Sequence, residues 1–239
     1  MKEKNKKIIL IFIFLAFAFI YIAKFCSQAI LRLYVVSGIG TCQELPVLCL
    51  VPKEELTYQE DKNYLKQLIF YDLSGIKISL PRQFTLIKEK IKRTYYKKHK
   101  SQYKDNVIYL LHQPAGFFMG LFSHLKKLGI KDDYEFVQHL MQANLNELKN
   151  LNDLFFLVNK SIFTPDLGDQ KNLKMFKFNL MNKKGFLLYN FTDSGNYFDA
   201  NLFTQNGDFF KIYIRDKSKI LDLNKALAII LSVEIKTKS

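Results

Sequence analysis

The longest uncharged apolar stretch is Ile8 to Ala23, preceded by an arm with Lys2, Lys4, Lys6 and Lys7 against Glu3. A run of about 18 such residues spans a bilayer core as a helix, and this one approaches that length. Lys24 can snorkel towards headgroups, and Phe25, Ala29, Ile30 and Leu31 continue the apolar face. The pattern predicts a transmembrane anchor over 8–25 behind a basic arm at 1–7, with the N-terminus cytoplasmic and the bulk of the chain outside. A cleaved signal peptide competes, with Ser27-Gln28-Ala29 its best-placed site. Lipidation at Cys26 is excluded by Lys24 and Phe25, where small residues are required. Residues 26–64 have little periodicity. Gly38, Gly40, Pro46 and Pro52 interrupt them, and Ala29–Val36 suits a helix or a strand.

Beyond Leu65 the pattern becomes regular, giving a domain over 65–239. Leu68–Tyr71 is a short strand, and Ile76–Leu80 alternates with the period of a half-buried strand up to Pro81. Phe84–Ile91 begins another strand, and Val107–Leu111 is strand-like. Gly116–Gly129 is either a short helix or an apolar lid. Apolar positions from Phe136 to Phe155 recur at helical spacing, which predicts one long helix over 133–158. Strands follow at 173–181, 186–191, 197–204 and 209–214. The first is turned by Asn182–Gly185, and the last two are joined at Asn206-Gly207, a strong hairpin signal. A closing helix covers 221–235. The expected fold class is α+β, an antiparallel β-meander in one sheet covered by helices, with one N-terminal transmembrane helix.

Composition changes this picture in three ways. The net charge of +14 leaves the domain basic after the N-terminal arm is set aside, suiting an anionic surface or acidic partner. The 22 Phe and 13 Tyr, with no Trp, predict an aromatic core. Cys42 and Cys49 flank Pro46 closely enough to close a small disulfide loop that pins the connector, leaving Cys26 unpaired.

Reactive chemistry is harder to find. The four histidines, His99, His112, His124 and His139, follow no ligand spacing, and no nucleophile elbow, phosphate loop or CxxC pair occurs. No cofactor or metal is expected. Asp193, Asp199 and Asp208 sit near the meander turns, where bonding to local backbone explains them. Two stretches are interaction candidates. One is the basic run 88–104, including Lys92, Arg93, Tyr95, Tyr96, Lys97 and Lys98, which is either simply a solvated face or a docking surface for a protein or a membrane; nucleic acid is the disfavoured partner. The other contains Phe117, Phe118, Met119, Leu121 and Phe122, too densely apolar for one helix face, so that some of them either enter the core, the preferred reading, or remain for a partner.

Gly75-Ile-Lys-Ile-Ser-Leu-Pro-Arg-Gln-Phe84, the hairpin motif F-x-x-N-G-D-F-F-K-I and the closing helix resemble the PsbP/Mog1-like proteins over about residues 68–235. That resemblance implies a non-catalytic module that docks on larger complexes. The 8–25 segment, the basic insert and the apolar 116–129 segment depart from the family pattern. The expected function is a non-enzymatic, single-pass scaffold or accessory subunit in the bacterial inner membrane, its domain extracytoplasmic, with membrane lipid and complex proteins as partners. The alternative is an anchored enzyme or ligand-binding domain acting on an envelope substrate. Such a domain would bring Asp193 or Asp199 together with a histidine and a lysine in a deep pocket.

Overall fold

A computed structural model describes residues 26–53, 56–73, 75–87 and 97–235, with backbone alone at 97–99 and 170. Two antiparallel sheets carry the fold, where one was expected. The larger is built from β3 (Thr85–Ile87), β4 (Lys97–Tyr103), β5 (Asn106–Gln113), β6 (Lys174–Leu180), β7 (Lys183–Thr192), β8 (Gly195–Phe203) and β9 (Phe209–Asp216). Its order is β3-β4-β5-β9-β8-β7-β6. The smaller has order β1-β2-β10, from β1 (Leu68–Asp72), β2 (Ile76–Pro81) and β10 (Glu234–Ile235).

Strands β7 and β8 are buried on both faces, so their alternation sorts side chains between two cores. Leu187, Phe198, Ala200, Leu202, Phe210 and Ile212 face the small sheet and the C-terminal helix α6 (Leu223–Leu231). Phe186, Leu188, Tyr197, Phe203 and Phe209 face a helical layer. That layer comprises α3 (Phe117–Leu121), α4 (Asp133–Gln142) and α5 (Leu151–Phe163). The expected closing helix over 221–235 is shorter, because Ser232 ends it and β10 pairs with β2. Lys183 Nζ donates to Leu231 O at that end.

The long helix expected over 133–158 is two helices. Asn144 and Asn150 have extended backbone, and their side chains accept from Asn146 N and from Asn152 N and Asp153 N. Each therefore starts a new helical turn instead of continuing the previous one. The carbonyls freed at the end of α4 are met from within the core by Lys160 of α5. Its Nζ, fully buried, donates to Met141 O at 2.9 Å, Ala143 O at 2.7 Å and Leu50 O. The turn expected at Asn182–Gly185 lies at Met181-Asn182, both with positive φ, as a two-residue hairpin turn requires.

The connector packs on the domain. Helix α1, residues 26–38, rests Val35 on Leu48, Leu148 and Leu157, and Arg32 donates to Asn146 O. Cys42 and Cys49 form a disulfide, with their Cα atoms 5.6 Å apart. Lys53 N and Leu56 N donate to Met175 O and Lys177 O, covering the outer edge of β6. A short helix α2 (Lys62–Leu65), capped by Asp61, leads into β1.

The expected transmembrane helix is corrected, and with it the single-pass inner-membrane placement, the lipid partner and the anchored scaffold. Among the described residues no helix is long and apolar enough to cross a membrane. Over residues 26–38, α1 spans only about 20 Å at 1.5 Å per residue, and it turns Val35 into the domain. Ile8–Ala23 lies outside the described residues.

Candidate functional site

Two hollows flank α5. One, of about 390 Å³ between α4 and the start of α5, is lined by His139, Asn144, Glu147, Asn150 and Asp153 among others. Several of its polar groups are committed to helix ends. Asn150 Oδ1 accepts from two backbone amides, Asp153 Oδ2 accepts from Lys149 N and Asn150 N, and Asn144 Oδ1 accepts from Asn146 N. This hollow is where helices are capped, and it offers little to a ligand.

The second hollow, of about 590 Å³, is different in kind. Its floor is the helix-side face of β5 and β9, with Tyr109, Leu111 and Gln113 beside Phe209, Lys211 and Tyr213. Its walls are Phe117 and Leu121 of α3 and Ile162 and Phe163 at the end of α5, continued by Pro165. The groove exists because α3 is too short to cover the sheet and α5 stops at Phe163. Pro165 and Gly168 then redirect the chain, and Leu167 is buried. Asp133, buried at the start of α4, holds α3 in place by accepting from Met119 N at 2.9 Å. Burial pushes its carboxyl up, while the amides of α3 pull it down.

Beneath the apolar walls lies a polar floor. Lys211 Nζ donates to Phe163 O at 2.6 Å, Asp199 Oδ2 at 2.9 Å and Asn201 Oδ1 at 3.3 Å. An ammonium has three hydrogens, so this one is fully engaged. Asp199 is completely buried, and burial raises its carboxyl above the ordinary range against the pull of Lys211. Tyr213 donates to Asp166 O, and burial raises its phenol, so it stays a neutral donor at physiological pH. Gln113 is 3 % exposed, and its Oε1 has no hydrogen-bond partner. An unpaired buried acceptor costs about 1–3 kcal/mol, which a donor entering the groove would recover.

The interaction candidates from the apolar segment gather here only in part. Phe118 is buried among Phe136, Phe163 and Phe209; Phe117 is half-buried in the wall; Leu121 is 61 % exposed at the rim. Met119 and Phe122 turn towards α4 and α5, where Phe122 packs on Phe136 and Phe155. Of the basic candidates, Lys92, Arg93, Tyr95 and Tyr96 lie outside the described residues. Lys97 and Lys98 are described as backbone in β4, paired with His112 and Leu111.

The three aspartates do not act alike. Asp199 is not a turn residue at all but a buried strand residue. Asp208, in the connection between β8 and β9, meets His112 Nε2 at 3.0 Å, and Asp193 lies in the turn between β7 and β8. An aspartate and a lysine do converge, yet no histidine joins them at the groove. Among the described residues no cluster of three or more His, Cys, Asp or Glu is placed to hold a metal. Asp199 was singled out from the sequence, though as a turn residue; Lys211, Gln113 and Lys160 were not, although Lys211 carried a signal in the hairpin register.

The fold and groove together define a class, an α+β domain with an apolar hollow between an antiparallel sheet and its helical cover. No family model and no curated protein matches the chain.

Proposed function

We propose that this chain is a non-catalytic binding domain whose groove over β5 and β9 takes an apolar ligand. One observation carries this reading: a hollow of about 590 Å³ with mostly apolar walls. Its rim residues Leu121 and Ile162 are left 61 % and 74 % exposed. Ligand sites of this size, apolar with a few placed polar groups, are the usual form of a binding pocket. Binding fits better than reaction because Lys211 spends all its donors on protein acceptors and leaves no reactive amine in the floor. The likeness of Gly75–Phe84 and 199–233 to the PsbP/Mog1-like proteins belongs to the same proposal, as a non-catalytic module.

Titration of the full chain with Nile red tests it. Saturable one-to-one binding is expected. Ile162→Arg and Leu121→Arg, both at exposed rim positions, should each weaken it by about tenfold or more with an unchanged melting temperature. Non-saturable binding, or binding indifferent to both variants, refutes the proposal.

A further inference from the structure

The lining of the groove holds a single charged residue, Lys211, and no acid. Its ammonium is spent on Phe163 O, Asp199 and Asn201, and Asp199 neutralises it from the fully buried layer. A charged ligand group would leave water for a floor with no uncommitted counter-charge, a cost that nothing in the lining offsets. Tyr213 has already given its hydroxyl to Asp166 O. Of the residues lining the groove, Gln113 alone has a buried polar atom without a partner, its Oε1. The terminal amide torsion of a glutamine is broad and two-fold, so a half-turn exchanges Oε1 with Nε2 and lets the oxygen meet a group in the groove.

Resting on the binding reading above, we infer that the ligand is a neutral apolar molecule bearing a hydroxyl, of which a long-chain alcohol is the simplest form. Its hydroxyl donates to Gln113 Oε1. The strand register places that seat: Gln113 lies opposite Phe209, whose ring meets the ring of Phe118 at 5.1 Å, so the polar end is at the α3 end of the groove. Tyr109, Leu111 and Gln113 alternate along one face of β5, and at about 3.4 Å per residue that face is about 14 Å long. The hydrocarbon runs along it over Leu111 towards Tyr213 and Pro165.

The test displaces Nile red, which has no hydrogen-bond donor, from the full chain with 1-decanol and with decyl methyl ether. The two competitors share a hydrocarbon, and only the alcohol can donate. The alcohol should displace the dye at about tenfold lower concentration, the size of one hydrogen bond that also relieves an orphaned acceptor. Gln113→Met keeps the length of the side chain and removes the oxygen. In that variant the alcohol should fall to the ether's affinity or below it, because an unpaired hydroxyl is costly to bring out of water. Gln113→Leu repeats the comparison if methionine disturbs the fold, as read by circular dichroism. Equal displacement by the two from the native chain, or displacement by neither, overturns this inference and leaves the apolar groove standing. A preference for the alcohol that survives the substitution overturns the seat at Gln113. Failure of Nile red itself to bind saturably overturns the inference and the binding reading together.

Discussion

Replacing Lys160 by methionine removes one ammonium and keeps most of the volume of the side chain. In the native fold that ammonium is 0 % exposed and is the donor to Leu50 O, Met141 O and Ala143 O. It thus ties the connector to the open end of α4. At a net of about 1 kcal/mol for each lost hydrogen bond, Lys160→Met should cost about 3 kcal/mol at pH 7. For a chain of this size that is a fall of roughly 6–12 °C in melting temperature. Burial lowers the folded pKa of Lys160 from 10.5 to about 7. Between those values the unfolded chain holds one more proton than the folded one, so the native protein gains stability as pH rises, at up to about 1.4 kcal/mol per unit. Methionine cannot follow. The gap between native and variant should therefore widen from pH 7 to pH 9, to about 5 kcal/mol. Urea unfolding followed by circular dichroism at pH 6, 7, 8 and 9 measures it. A variant as stable as the native chain at pH 7, or a gap that closes as pH rises, would refute both the three-carbonyl anchor and its titration.

Other positions give equally direct expectations. Asp199→Leu strands Lys211 against the core and should cost about 3–5 kcal/mol, whereas Asp199→Leu with Lys211→Met should recover most of that; a chemical-denaturation cycle reads the difference. Gly185 lies in β7 where an added Cβ would run into Asn201 O and the Phe178 ring. Gly185→Ala should lose about 3 kcal/mol or fail to fold, visible as loss of the near-ultraviolet signal. Cys42→Ser with Cys49→Ser opens the disulfide loop and should cost about 2.5 kcal/mol in the loop-entropy account, measured by thermal unfolding with and without reductant.

Alternation and turn chemistry made much of the sheet legible. The pattern of β8 and the Asn206-Gly207 signal set the β8–β9 pairing, because a hairpin turn fixes register for every residue beyond it. The broken helix was not legible from apolar spacing, since Phe136, Leu140, Leu148 and Phe155 sit on one stripe whether or not the chain is interrupted. The interruption is written in polar residues, Asn144 and Asn150, whose side chains outcompete helix continuation. The donor that makes the break tolerable, Lys160, is seventeen residues from Ala143, a separation no local pattern reports. The small second sheet was hidden for a similar reason. Glu234-Ile235 is too short to read as a strand and exists only because Ile76 and Lys77 lie beside it.

The groove itself was partly written in the same hairpin. Pairing Phe203 with Phe209 across Asn206-Gly207 forces Asn201 opposite Lys211 and Asp199 opposite Tyr213. A strand period of two then puts Asp199, Asn201 and Lys211 on one face. That face also carries Tyr197 and Phe203, so a charged pair had to lie within an aromatic layer, which marks it as structural or functional before any coordinates. What the register cannot supply is the gap above it. The gap depends on α3 ending at Leu121 and α5 ending at Phe163, two boundaries set by tertiary contacts: Asp133 gripping the amide of Met119, and Lys211 taking the carbonyl of Phe163. The lysine that closes the ion pair therefore also fixes the end of α5, and with it the groove wall. Floor and wall are one device, and loss of Lys211 would reshape the groove as well as weaken the core.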